Sequence, residues 1–138
     1  MQTTAVRKIA TAKQRDDAPP FLAPILRRFP QTQAVYLFGT YGSKYHMPES
    51  DIDLGVLLPE GDPEILAQGM QFGAYEMIHH EVADAAKVEY ADLFNMRHPK
   101  MPADMRYEIV KPHHRLYCAN AEAARAFEAA AANGNVHR

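Results

Sequence analysis

The sequence predicts an α+β domain of α/β-like character, in which a small mixed β-sheet is flanked by helices. Three observations carry this prediction: short apolar runs bounded by glycine or proline indicate buried strands, longer proline-free segments with helical apolar spacing indicate helices, and the two kinds alternate along the chain. A length of 138 residues is typical of one hydrophobic core, so we expect a single domain over 1–138.

The predicted elements follow from local patterns in the chain. Short apolar or aromatic runs predict the strands Ala34–Phe38, Asp51–Leu58, Lys87–Phe94 and His114–Cys118. Segments without helix breakers predict the helices Thr3–Gln14, Pro20–Arg28, Pro63–Asp84, Ala103–Val110 and Ala121–Gly134. We therefore expect N-terminal helices over 1–30, a core over 34–118, and a C-terminal helix with its tail over 119–138.

The helix from Pro63 to Asp84 is predicted although it contains glycines. Leu66, Met70, Gly73 and Met77 recur at helical spacing, so one long amphipathic helix is expected to cover a face of the sheet. The last helix is rich in alanine, a strong helix former, and Gly134 is its expected stop. The first two strands are expected to lie in the middle of the sheet.

Composition excludes several classes of function. The 15 basic and 17 acidic side chains nearly balance, which argues against direct nucleic-acid binding. Cys118 is the only cysteine, so no intrachain disulfide can form. The N-terminus carries charges where a signal peptide is apolar, and no run approaches the roughly 18 apolar residues of a membrane span. We expect a cytoplasmic protein without a membrane partner.

Two aspartates on the second predicted strand are the first candidates for chemistry. Side chains alternate along a strand, so Asp51 and Asp53 are expected on one side while Ile52 and Leu54 point to the core. Two carboxylates at this spacing repel each other unless a cation lies between them. Magnesium, which binds few protein carboxylates and completes its octahedron with water and phosphate oxygens, is the expected ion.

A second candidate precedes the aspartates, where the first strand gives way to a turn at Gly39 and Thr40. Such a turn offers backbone N–H groups and a hydroxyl, and a glycine lets a phosphate come close. Phosphate and metal sites are therefore expected to converge from neighbouring strands.

Together these residues resemble the signature of the DNA polymerase beta-like nucleotidyltransferase superfamily: glycine and serine, ten residues, then Asp-x-Asp. The chain has Gly39 and Thr40, ten residues, then Asp51, Ile52 and Asp53. Among the branches of the superfamily it is most similar to the short MNT-type minimal nucleotidyltransferases, the antitoxins of HEPN/MNT toxin–antitoxin pairs. The resemblance implies the nucleotidyltransferase fold, with 34–118 as the catalytic core.

The resemblance also implies an activity and partners. It implies an antitoxin that uses ATP and two magnesium ions to transfer AMP to a tyrosine of a HEPN-domain ribonuclease toxin, HepT-like, with which it forms a hetero-oligomer. Two alternative functions remain open for this sequence. A catalytically weakened antitoxin would neutralise the toxin by binding alone, and a nucleotidyltransferase with a small-molecule acceptor would use the same acids but usually carries a further substrate-binding domain.

A third acid follows from the same resemblance. The family carries a Val-Asp-x-x-Asp-Leu pattern on a later strand, matched here by "VEYADL" from Val88 to Leu93, so Glu89 is the implied third acid. Asp92 faces away from Glu89 by alternation and ranks below it. The implied catalytic and metal-binding residues are Asp51, Asp53 and Glu89, and the implied nucleotide-binding residues are Gly39, Thr40, Lys44 and Ser50.

Three positions depart from the family pattern. Thr40 keeps the hydroxyl of the usual serine and adds a methyl. Ser43 stands where the family usually has arginine or lysine, and Lys44 is the expected substitute for that charge. Glu89 is one methylene longer than aspartate, which changes where a metal ligand lies.

Overall fold

The computed structural model of the protein describes residues 18–38, 52–111 and 115–136, with side chains to residue 133. The predicted helix Thr3–Gln14 lies outside these residues. The strands in them are β1 (Ala34–Phe38), β2 (Ile52–Leu57), β3 (Ala91–Asn95) and β4 (Arg115–Cys118). The α-helices in them are α1 (Ala23–Arg28), α2 (Glu64–Ala67), α3 (Ile78–Ala86), α4 (Ala103–Val110) and α5 (Ala121–Val136).

The four strands form one mixed sheet in the order β3-β2-β1-β4. β1 pairs antiparallel with both β2 and β4, whereas β2 and β3 run parallel. The parallel pair requires a crossover, and the segment containing α2 and α3 supplies it. The predicted fold class and the central places of the first two strands are thus confirmed.

Helices cover both faces of the sheet, because alternate residues of the strands point to opposite sides. On one face Val35, Leu37 and Leu54 pack with residues of α1, α3 and a 3-10 turn at Pro20–Leu22. On the other face Ala34, Tyr36 and Leu57 pack with residues of α4 and α5. The sheet therefore separates two apolar clusters.

The first helical segment agrees with its prediction. A 3-10 turn at Pro20–Leu22 leads directly into α1, with the fixed φ of proline suiting the first turn. Phe21, Leu22 and Ile25 are buried. α1 ends at Arg28, whose guanidinium lies 3.2 Å from Glu64 and 3.1 Å from Glu76 and thereby joins α1 to the crossover segment.

The predicted long helix Pro63–Asp84 is wrong, because α2 ends at Ala67 and α3 begins only at Ile78. Gly73 takes a φ of 76° and Met77 a φ of 60°, both in the left-handed region that no α-helix uses. The intervening residues instead pair with the outer edge of β3: Phe72 N–H donates to Leu93 O at 2.7 Å. Two members of the predicted apolar stripe, Leu66 and Met77, are accordingly exposed.

The third strand begins later than predicted, at Ala91 instead of Lys87. α3 runs to Ala86, and Lys87 ends it in the left-handed conformation with a φ of 60°. The N–H of Val88 donates to Ala83 O at 3.1 Å, as in the usual helix-terminating motif. Residues 87–90 therefore form the turn between α3 and β3.

The C-terminal elements agree more closely. α4 has the predicted bounds, and β4 covers the described part of its predicted strand. α5 passes the predicted stop at Gly134 and continues to Val136, since one glycine costs a helix only about 1 kcal/mol. Tyr36 Oη donates to Glu128 at 2.7 Å and Arg115 donates to the same carboxylate at 2.8 Å, so α5 is tied to β1 and β4. Within the described ranges, none of the helices has the length and apolar character needed to cross a membrane.

Candidate active site

Asp53 and Asp92 lie side by side on the two parallel strands. Asp53 is the register partner of Asp92, between the pairs Ile52 with Ala91 and Leu54 with Leu93. Neighbouring strands are about 4.8 Å apart, so the two side chains leave the same face at the same height. Both aspartates are half-buried, whereas Ile52 and Leu54 are fully buried on the opposite face, as the alternation of the sequence predicts.

Aromatic rings border this carboxylate pair. Phe38, the last residue of β1, is the register partner of Asp53 on its other side. The ring of Phe38 meets that of Phe94 edge-on, with centroids 5.5 Å apart. Phe38 is the last residue of β1. The carboxylate pair therefore lies at the end of the sheet where β1 finishes and the chain continues into residue 39.

A backbone hydrogen bond also holds the start of β2 in place at this end of the sheet. Ile52 N–H donates to Tyr90 O at 3.1 Å, which extends the parallel ladder by one bond beyond Ala91. The side chain of Tyr90 is 59% exposed. Asp53 is thus held on a rigid strand between two paired neighbours, as precise placement of a reacting group requires.

The chemistry of the pair suits a hard divalent cation. Two carboxylates on adjacent strands repel each other, and a cation between them removes that cost. Carboxylate oxygens are the protein ligands that magnesium prefers, and magnesium completes its octahedron with water and phosphate oxygens. Asp53 and Asp92 therefore fit a magnesium site, although the described residues contain no cluster of three or more metal-ligating side chains.

Glu89 is not part of this pair. It lies in the exposed turn before β3, so its predicted position on the third strand is wrong. Had the strand begun earlier, Glu89 would share the face of Ala91 and Leu93, which is the buried face opposite Asp53. The signal for Asp92 was present in the sequence, since Ala91-Asp92-Leu93 repeats the apolar-acid-apolar pattern of Ile52-Asp53-Leu54.

The other predicted site residues are Gly39, Thr40, Lys44, Ser50 and Asp51, and they lie outside the described residues. Of the predicted catalytic and metal-binding acids, the structure therefore describes Asp53 and Glu89. Only Asp53 has a second carboxylate as its neighbour in the sheet, and that neighbour is Asp92.

Comparison with known proteins gives a family and a set of similar structures. A family model described as "Polymerase beta, Nucleotidyltransferase" matches residues 22–122. A chain from the crystal structure of a toxin–antitoxin with AMP-PNP is similar at a TM-score of 0.62 and 22% identity, covering 86% of each chain. No curated protein matches this sequence.

Two further similar structures are mutants of the toxin–antitoxin MntA-HpeT. One, with two aspartates two positions apart replaced by glutamate, has a TM-score of 0.60 and 20% identity over 84% of both chains. The other, with a tyrosine replaced by alanine, has a TM-score of 0.61 and 21% identity over 86% of this chain and 85% of that one. At these identities the three structures show a shared fold.

Proposed function

This chain belongs to the polymerase beta nucleotidyltransferase family, and from that premise we propose that it transfers AMP from ATP to a tyrosine of a HEPN-domain, HepT-like toxin, using magnesium, and so acts as the antitoxin of that toxin. The observation that carries the proposal is the register of Asp53 with Asp92 on two parallel strands. A nucleotidyltransferase needs carboxylates at such a place, because the triphosphate is handled through metal ions.

The proposed metal-binding acids are Asp51, Asp53 and Asp92. Asp53 and Asp92 share one face and one height of the sheet. Asp51 is included for its spacing from Asp53, which is also the spacing of the two aspartates replaced in one MntA-HpeT mutant. We assign the third acid to Asp92 and not to Glu89, because Glu89 precedes the strand and is exposed.

The proposed nucleotide site lies beside these acids. Gly39 and Thr40 follow directly on β1, whose last residue Phe38 is the register partner of Asp53. Backbone N–H groups and a hydroxyl there would bind phosphate oxygens, and Lys44 and Ser50 would add a positive charge and a further hydroxyl. The choice of an adenine nucleotide is supported by the AMP-PNP of a similar toxin–antitoxin structure.

In the proposed reaction the tyrosine oxygen forms a bond to the α-phosphorus of ATP, and the bond to pyrophosphate breaks. Pyrophosphate leaves with the electron pair of that bond, and the proton of the tyrosine hydroxyl passes to a carboxylate, for which Asp92 is the proposed acceptor. Bound magnesium would neutralise the charge that grows on the phosphate oxygens. The strands contribute by holding Asp53 and Asp92 rigidly before the substrates arrive.

The proposed partner follows from the resemblance of the signature and from the similar structures. Each of the three is a toxin–antitoxin, and each matches this chain over at least 84% of its length. In the proposed reaction the acceptor comes from another chain, since a tyrosine of the toxin must reach the site at Asp53. A hetero-oligomer with the toxin is therefore part of the proposal.

The proposal is tested by incubating this chain with a HEPN-domain, HepT-like toxin and ATP labelled at the α- or the γ-phosphate. Label from the α-phosphate is expected in the toxin and label from the γ-phosphate is not. Asp53→Asn should lower incorporation at least about a hundredfold, whereas Asp84→Asn, on the exposed surface of α3, should leave it unchanged.

Each other outcome contradicts a definite part of the proposal. Inhibition of the toxin without any incorporated label would show an antitoxin that acts by binding alone. Incorporation that survives Asp53→Asn would show that the carboxylate pair is not the catalytic site.

A further inference from the structure

A cavity of about 580 Å³ lies at the end of the sheet opposite the carboxylate pair. It is formed beyond the C-terminal ends of β2 and β3, against α2, α4 and α5. Its lining includes Glu60, Asp62, Leu66, Arg97, Arg106 and Phe127. At about 3.3 Å per residue, the five steps along the chain from Asp53 to Leu58 place the two ends of the sheet about 17 Å apart.

The walls of the cavity are mostly apolar. α2 contributes Ile65 and Leu66, and α5 contributes Phe127, Ala130 and Ala131. Leu66 is 73% exposed, so this part of the lining is in contact with solvent. The size and the apolar lining are those of pockets that bind small organic molecules, in which a few polar groups fix the orientation.

Two of the charged residues that line the cavity are arginines whose guanidiniums donate to backbone carbonyls. Arg97 Nε donates to Leu58 O at 2.7 Å, and its guanidinium stacks 5.2 Å from the ring centroid of Phe127. Arg106 Nε donates to Met96 O at 3.0 Å, and its Nη2 donates to His98 O at 2.7 Å. Arg97 Nη2 also donates to Gln33 Oε1 at 3.3 Å. Each guanidinium is thus fixed in position, and each has five N–H donors, more than these bonds use.

In residues 18–38, 52–111 and 115–136, no carboxylate oxygen lies within 4.0 Å of either guanidinium, although the charge of Glu60 acts on Arg97. Burial lowers the pKa of Arg97, which Glu60 partly opposes, and burial together with the charge of Arg97 lowers the pKa of Arg106. An anion between the arginines would relieve their repulsion and replace lost hydration.

Two carboxylates also line the cavity. Glu60 and Asp62 precede α2; Glu60 is exposed, and Asp62 accepts a hydrogen bond from Glu64 N–H at 2.9 Å. Their charges offset much of the attraction of the two guanidiniums, so charge alone does not select an anion. An organic carboxylate is favoured over a phosphate or a polyphosphate because it has an apolar body to bury against the apolar walls.

We propose that this cavity binds a small organic acid, with its carboxylate against Arg97 and Arg106 and its apolar body along Phe127 and Ile65. The planar carboxylate matches the fork of donors that a guanidinium presents. The site is independent of the proposed transfer reaction, since it shares no residue with the carboxylate pair.

The probe for this proposal is phenylbutyrate, compared with phenylbutanol, which has the same apolar body and no charge. Titration into the isolated chain, followed by NMR of the methyl groups of Ile65, Leu66 and Ala130, should give a Kd of about 1 mM for the acid. The alcohol should bind at least about tenfold more weakly. Equal affinity for the two compounds would overturn the role of the arginines, and so would displacement of phenylbutyrate by an equal concentration of inorganic phosphate.

Matched variants locate the binding. Ala130 is exposed and lines the cavity, so Ala130→Phe places a ring in the cavity without removing a hydrogen bond. This substitution should weaken phenylbutyrate binding at least about tenfold. Ala129 is exposed but does not line the cavity, so Ala129→Phe should leave the binding unchanged. Arg106→Gln should weaken binding of the acid and leave that of the alcohol unchanged, with Arg125→Gln as its exposed control on α5. Binding that survives both Ala130→Phe and Arg106→Gln would overturn the proposal.

Discussion

Asp53 and Asp92 each stand between two buried apolar residues of their strand, so the core fixes the direction in which each carboxylate points. For Asp53 this was predictable, because the alternation from Ile52 to Leu54 is plain in the sequence. For Asp92 the direction was predicted by the same alternation, but its place beside Asp53 was not, because the family pattern points to the first acid of "VEYADL" and because the start of β3 was placed too early. The start of β3 decides which of the two acids lies beside Asp53, and the sequence alone did not define it.

Gly55 is a second residue whose role depends on a contact between elements. A Cβ at this position would lie 2.5 Å from Met96 Sδ and 3.1 Å from Ile109 Cγ2. Both neighbours are buried, and Ile109 belongs to α4, so the missing side chain lets this helix approach β2. We expect Gly55→Ala to lower the free energy of unfolding by about 1–3 kcal/mol, because the core must shift to admit a methyl group.

Urea unfolding measures this change, with Gly69→Ala as the control. A Cβ at Gly69 comes no closer than 3.9 Å to Gln71 N, so the control should change the free energy of unfolding by less than about 0.5 kcal/mol. Equal effects of the two substitutions would show that α4 does not depend on the glycine of β2.

At the scale of elements, the strands and helices with purely local signals were predictable and the crossover was not. β1 and α4 have their predicted bounds, since apolar runs and proline boundaries define them. The helix predicted over Pro63–Asp84 fails because contacts distant in sequence replace it. The buried Asn95 donates to Ile65 O at 2.9 Å and to Gly69 O at 3.3 Å, which holds the chain after α2 against the end of β3.

The attachment of α5 to the sheet predicts a pH dependence of stability. Burial and the carboxylate of Glu128 raise the pKa of Tyr36 well above its ordinary value of 10.0. Because the folded protein keeps this proton while the unfolded chain loses it, the contribution is fully present below about pH 10 and falls as the pH rises further, by up to about 1.4 kcal/mol per pH unit.

Urea unfolding between about pH 9 and about pH 11 checks this expectation. Tyr36→Phe should be less stable at neutral pH, because Glu128 loses a hydrogen bond worth about 1.5–3 kcal/mol. Its stability should also fall less steeply above about pH 10 than that of Tyr75→Phe, a control at a residue that is 85% exposed. Identical pH profiles for the two variants would contradict the buried hydrogen bond.

At the scale of the whole molecule, the sheet has different chemistry at its two ends. The carboxylate pair lies where β2 and β3 begin, and the cavity with Arg97 and Arg106 lies beyond their other ends. The first end was predictable in part: the alternation of Ile52, Asp53 and Leu54 indicated the face on which Asp53 lies, whereas the place of Asp92 beside it depends on the register of β2 and β3. The second end was not, because Arg97, Arg106 and Phe127 come together only through the packing of α4 and α5 against the sheet.

The central claim is that Asp92, through its place beside Asp53, is the third acid of a nucleotidyltransferase. The most direct measurement compares AMP transfer from ATP to the proposed HEPN-domain toxin by Asp92→Asn and by Glu89→Gln, two isosteric neutralisations within four residues. We expect Asp92→Asn to lower the transfer rate at least about a hundredfold and Glu89→Gln, at an exposed position outside the strand, to leave it within about twofold of the unaltered chain. Loss of transfer in Glu89→Gln with full transfer in Asp92→Asn would contradict the account.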